Sequence, residues 1–141
     1  MIFGIGLQDI RYKQRFHNYS QSFALLQDSL KVQNPTILEK AGIIQFFEIT
    51  FELSWKLLKD YCVYIGYDIH APRDAIKTAY SIGMIDNGQT WLDALMDRNL
   101  TVHTYDEDIA NEVYTKIKND IIRYWKNYMI HSGIRHVWIN R

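Results

Sequence analysis

One short run in the chain combines residue types and spacing that point to chemistry: Arg98-Asn99-Leu100-Thr101-Val102-His103-Thr104-Tyr105. Arginine offers a planar fork matched to phosphate oxygens and keeps its charge near neutrality, and histidine gives and takes protons there. Together they suit metal-free cleavage of an RNA phosphodiester, with imidazole acting on the 2′-hydroxyl or the leaving group and guanidinium offsetting the charge that builds on the phosphorane. Tyr105 adds a ring for stacking a base or a hydroxyl for modification. Geometry sets a condition. In an unbroken helix Arg98 and His103, five residues apart, point about 140° away from each other, whereas Asn99 and His103 at i,i+4 share a face. Arg98 and His103 converge only if the helix ends near Thr101 or if two copies of the run meet across a two-fold axis. Spacing by itself favours an ordinary helix end with a solvated arginine, because such pairs are common by chance.

The elements that must hold this run are helical. From about Asp9 to Leu30 the large residues Tyr12, Phe16, Tyr19, Phe23, Leu26 and Leu30 recur every three or four positions, the mark of an amphipathic helix. Asn34-Pro35-Thr36 closes it. A second helix, about Ile37 to Ile65, carries one apolar stripe through Ile44, Phe47, Phe51, Trp55, Leu58, Cys62 and Ile65, and another through Ile43, Phe46, Leu53, Leu57, Tyr61 and Tyr64. Two stripes need cover on two sides, so a bundle core and a partner subunit are both expected. Gly66 supplies a stop.

Ala71-Pro72-Arg73-Asp74 leads into a short helix over Ala75 to Ile82 ended by Gly83, and Asp86-Asn87-Gly88 is a turn. A helix from about Gln89 buries most of Trp91, Leu92, Leu95, Met96 and Leu100 on one side. Thr104 and Glu107 have capping-box spacing, and a last long helix follows through Ile109, Val113, Ile117, Ile121, Tyr124 and Tyr128. Residues 130–141 show no clean periodicity and form an extension. The expected fold is all-α, an antiparallel up-and-down four-helix bundle with one divided helix. It is read as a single domain over residues 1–141 with its core over about 9–129.

Composition narrows the function. Lys plus Arg and Asp plus Glu balance at 16 each, so the chain as a whole has no field that draws it to nucleic acid or membrane, and any nucleic-acid contact is local. No apolar run approaches the roughly 20 residues that span a bilayer, and the opening Met1 to Leu7 lacks the basic start of a signal peptide. A single cysteine, Cys62 in an apolar pattern, reads as a buried thiol in a reducing compartment. A cytoplasmic location is the expectation. His70, His131 and His136 show no metal-ligand spacing, and neither a metal nor a cofactor is expected. Glu48, Glu52, Lys56 and Lys59 line one face of the second helix, where they either line a cleft or form i,i+4 ion pairs.

The run Ile44-Gln45-Phe46-Phe47-Glu48-Ile49-Thr50-Phe51-Glu52-Leu53-Ser54-Trp55-Lys56, the Ala71-Pro72-Arg73 start and the stretch from Trp91 through Tyr105 resemble the nucleotidyltransferase substrate-binding proteins, a branch of the HEPN superfamily of helical bundles. Arg11-Tyr12-Lys13-Gln14-Arg15-Phe16 is similar to that family's first helix. The resemblance spans roughly residues 10 to 129, and its most specific part is R-x4-H-x-Y, here Arg98, His103 and Tyr105, with Asn99 in the polar place after the arginine. It implies a homodimer with the two motifs face to face, encoded beside a minimal nucleotidyltransferase. In the toxin-antitoxin version, the bundle is a metal-independent ribonuclease with Arg98, Asn99 and His103 as its catalytic residues, and the partner silences it by adding nucleotides to the motif tyrosine, Tyr105. In an alternative reading of the branch, the bundle is a non-catalytic subunit that presents an RNA or nucleotide substrate to the transferase. The motif does not separate the two.

Overall fold

The computed structural model describes residues 2–121, with side chains from residue 10 onward. Helix α1 spans Ile2–Ser29, α2 Ile37–Tyr64, α3 Pro72–Ser81, α4 Gly88–Leu100 and α5 Glu107–Lys116; a 3-10 turn, Thr101–His103, joins the last two, and a π turn, Ile117–Ile121, follows α5. Among the described residues there is no strand. This is the expected up-and-down bundle, its third position divided between α3 and α4. No helix among the described residues is long and apolar enough to cross a membrane.

α1 begins earlier than its periodicity suggests, at Ile2, and buries Tyr12, Tyr19, Phe23 and Leu26. Its rings follow one another along the helix, Tyr12 on Phe16 at 6.1 Å, Phe16 on Tyr19 at 6.4 Å and Tyr19 on Phe23 at 6.0 Å between centroids. Such aromatic pairs add about 0.5–1.5 kcal/mol each beyond the area they bury. Burial pushes the Tyr19 phenol far above its ordinary range. At the cleft side of α1, the buried Ser22 Oγ meets Thr50 Oγ1 of α2. Thr50 donates its own proton to the Phe46 carbonyl at 2.7 Å, so Ser22 is the donor of the pair.

α2 is the axis of the bundle, with α1, α3, α4 and α5 all packed against it. Its start is set by a capping box: Thr36 Oγ1 accepts from Glu39 N–H at 3.2 Å, and Glu39 Oε1 accepts from Thr36 N–H at 2.9 Å. The first apolar stripe is buried from Ile44 to Cys62, whereas Ile65 lies past the helix end and is exposed. In the second stripe Ile43 and Leu57 are covered within the chain, while Phe46, Leu53, Tyr61 and Tyr64 are half-buried. The surface left for a partner is therefore narrower than the sequence suggests. Cys62 is buried, and burial pushes its thiol up to about 11. Gly66, at φ +111°, ends α2 with Tyr67 N–H bonded to the Cys62 carbonyl; Gly83, at φ +80°, ends α3 in the same way through Met84 N–H and the Ala79 carbonyl.

One residue of the expected α4 stripe is an exception, and one expected cap is corrected. Met96 is exposed, and Asp97 takes the buried position beside Ala94 and Leu95. Thr104 does not cap the last helix: its backbone, at φ −74° and ψ 0°, lacks the extended geometry of an N-cap. Asp106, at φ −85° and ψ 118°, is the cap, and its carboxylate accepts from Asp108 N–H at 2.9 Å and Ile109 N–H at 3.4 Å. Asp106→Ala is expected to cost about 1 kcal/mol in urea unfolding and Asp106→Asn only a few tenths; equal losses would show that the cap is not what the carboxylate provides. The expected continuation through Tyr124 and Tyr128, and the extension at 130–141, lie outside the described residues.

Candidate functional site

α4 ends at Leu100, so the helix stops near Thr101, the first of the two conditions under which Arg98 and His103 could converge. Thr101 Oγ1 donates to the Arg98 carbonyl at 2.7 Å and Thr104 Oγ1 to the Thr101 carbonyl at 2.9 Å, so side chains satisfy carbonyls that the helix leaves open. The chain tightens into the 3-10 turn at Thr101. The 140° offset of a continuous helix no longer applies.

Arg98 leans from α4 toward α2. Its Nε lies 3.6 Å from Glu52 Oε1 and its Nη1 donates to Thr101 Oγ1 at 3.4 Å. The Nε is buried yet has no hydrogen-bond partner among the described residues. Glu52 is engaged elsewhere as well: its Oε2 accepts from Trp55 Nε1 at 3.1 Å and sits 4.0 Å from Lys56 Nζ. Arg98 is thus held in place by long, shared contacts that leave most of its five donors available to an anion. The guanidinium opens into a cleft of about 580 Å³ between α1, α2 and α4, which Glu48 and Glu52 also line. Leu25, Phe46, Ile49 and Leu53 form its apolar wall.

His103 stands on the 3-10 turn, exposed. Its Nδ1 is 3.3 Å from the Tyr105 hydroxyl, and the two rings meet edge-on with centroids 5.9 Å apart. Tyr105 is 84% exposed, which decides its accessibility to a modifying enzyme. Asn99 is exposed on α4. The fold therefore gathers Arg98, Glu48 and Glu52 in one cleft and pairs His103 with Tyr105. Among the described residues no hydrogen bond or ion pair joins the two groups within one chain. Nor do three His, Cys, Asp or Glu side chains among them gather as a metal site.

Asp97, which the sequence reading did not single out, anchors this region. It is buried, and Lys116 Nζ of α5 reaches its Oδ1 at 3.2 Å and Glu112 Oε1 at 3.5 Å. Burial pushes the Asp97 carboxyl up, and the Lys116 hydrogen bond only partly offsets that. For Lys116, burial acts against the ammonium, but the hydrogen bonds and charges of Asp97 and Glu112 together outweigh it and raise its pKa. The pair ties the last turn of α4, and so Arg98, to α5.

A family model described as nucleotidyltransferase substrate binding protein like matches residues 14–130. The chain is 33% identical over 87 residues to the protein named Probable ribonuclease HepT of Haemophilus influenzae, an alignment that takes in 58% of this chain and 60% of that protein. It thus spans less than two thirds of the curated relative. Among solved structures it is similar to the crystal structure of ttk003001694 from Thermus thermophilus, with a TM-score of 0.73 and 29% identity over 79% of this chain and 95% of that one.

Proposed function

Because the chain belongs to the nucleotidyltransferase substrate-binding family of HEPN bundles, we propose that it is a metal-independent ribonuclease toxin, working in the cytoplasm as a single-domain homodimer and silenced by a minimal nucleotidyltransferase encoded beside it. The observation that carries this reading is the Arg98 guanidinium, loosely held by Glu52 and Thr101 at the wall of an open cleft. A relative named as a ribonuclease supports it. In the reaction the 2′-oxygen bonds to phosphorus, the bond from phosphorus to the 5′-oxygen breaks, and His103 handles the proton leaving the 2′-hydroxyl or the one reaching the 5′-oxygen. Nδ1 of His103 faces the Tyr105 hydroxyl, so Nε2 is the nitrogen that works. Arg98 offsets the charge on the phosphorane, and Asn99 is the polar neighbour that completes the set.

Two chains answer the separation of Arg98 from His103. Leu25 and Ile49, exposed beside the half-buried Phe46 and Leu53, give the cleft an apolar rim that a second copy covers. The same separation favours a second reading, a non-catalytic subunit that presents RNA or nucleotide to the transferase. Unmodified protein in EDTA is expected to sediment as a dimer and to cut single-stranded RNA, leaving 2′,3′-cyclic phosphate ends. Intact RNA from a well-folded dimer would hand the function to the second reading, and a monomer at micromolar concentration would remove the two-chain site.

A further inference from the structure

The cleft at Arg98 has a second cavity beside it along α1 and α2. On α1, Arg11, Arg15, Asn18, Ser22 and Leu25 step along the helix by four, three, four and three; on α2, Gln45, Ile49, Glu52, Lys56, Lys59 and Val63 step by four, three, four, three and four. Each set is one stripe of its helix. The helices run antiparallel, with Ser22 against Thr50 and Arg15 against Asp60, so the stripes border a common furrow. Beyond Glu52 lies a second, smaller cavity of about 400 Å³ lined by Arg11, Arg15, Trp55, Lys56, Lys59 and Asp60. Glu52, which lines the first cavity, and Lys56, which lines the second, are paired 4.0 Å apart.

The charge in this second cavity is one-sided. Four cations face a single carboxylate, Asp60, in a chain whose formal net charge is zero. Asp60 is already paired with Arg15, whose Nη1 also lies 3.5 Å from the Lys56 carbonyl. Lys59 and the exposed Arg11 have no ion-pair partner among the described residues. Positive groups clustered along two helices, spaced by helical turns and next to the cleft of a phosphate-handling arginine, match the regular charge of a polynucleotide backbone. Lys59 is seven residues from Glu52, about 10 Å along the helix, which is beyond the reach of the phosphate at Arg98.

We propose that this basic half of the α1/α2 groove is a backbone subsite that holds the phosphates of single-stranded RNA next to the cleavage point, with Arg11 and Lys59 as its principal contacts. The proposal rests on the ribonuclease reading and adds where the remainder of the substrate lies. Binding of a labelled 20-nucleotide single-stranded RNA is measured against salt, with His103→Ala in the background to prevent cutting. Adding Arg11→Ala and Lys59→Ala should weaken binding by at least about tenfold at low salt and flatten the salt slope by about 1.4, since each single-strand contact contributes about 0.7. The charge-keeping pair Arg11→Lys and Lys59→Arg should bind as the parent does, which separates lost charge from lost folding. Lys31→Ala with Lys77→Ala removes the same charge from residues outside the groove and should leave the slope unchanged. Equal losses from the two alanine pairs, or an unchanged slope in the groove variant, overturn the subsite and leave the ribonuclease reading standing. If the parent binds no RNA, both fall.

Discussion

Arg98→Ala is expected to lower RNA cleavage by about 10²–10³-fold, the loss typical of removing a donor that meets charge formed in the transition state. His103→Ala should cost about 10²–10⁴-fold through loss of proton transfer. Growth inhibition should vanish with either. Neither change should unfold the bundle: His103 is exposed, and Glu52 keeps its contacts with Trp55 and Lys56 when Arg98 is gone. Arg98→Lys should recover little, because an ammonium cannot present the paired donors of a guanidinium. Cleavage rates on a defined oligonucleotide, read beside far-ultraviolet circular dichroism, check this. If activity survives both alanine variants, the Arg98 and His103 assignment is wrong; if helicity falls with activity, the residues are structural.

The second large effect belongs to Tyr105. With its side chain 84% exposed, the phenol is open to an enzyme that transfers nucleotides. An attached nucleotide adds bulk and negative charge beside His103, where the proposed reaction places the RNA, and would repel an incoming phosphate by like charge. Incubation with the proposed partner nucleotidyltransferase and ATP should add nucleotide mass to the wild type and none to Tyr105→Phe, and the variant should keep cutting RNA in that partner's presence. Equal labelling of the two proteins would falsify Tyr105 as acceptor without touching Arg98 or His103.

Much of this was legible before any coordinates. Helix order follows from the three-and-four spacing of residues such as Tyr12, Tyr19, Phe47, Phe51 and Val113, all of which are buried. An end of α4 near Thr101 was legible as one of two ways for Arg98 and His103 to converge, the other being a second copy of the run. What was not legible depends on long-range partners or on backbone angles. Asp97 reads as an ordinary helical carboxylate until Lys116, nineteen positions away, arrives from α5. Thr104 and Asp106 are both good capping residues by type, and only the local dihedral angles decide between them. The basic end of the groove was hidden by a balanced total, because Arg11 and Arg15 meet Lys56 and Lys59 only when α1 folds back along α2.

The Ser22–Thr50 contact gives the groove a fixed scale. Helices that meet through aromatic rings alone can slip past each other by a turn, about 5.4 Å, and exchange one ring contact for another at little loss. Here such a slip would part the Ser22 hydroxyl from the Thr50 oxygen that accepts its proton, at about 1 kcal/mol for the lost hydrogen bond. One hydroxyl pair therefore acts as a detent between α1 and α2. It keeps the arginines of one helix in step with the lysines of the other, so the furrow works as a ruler whose marks stay at one spacing.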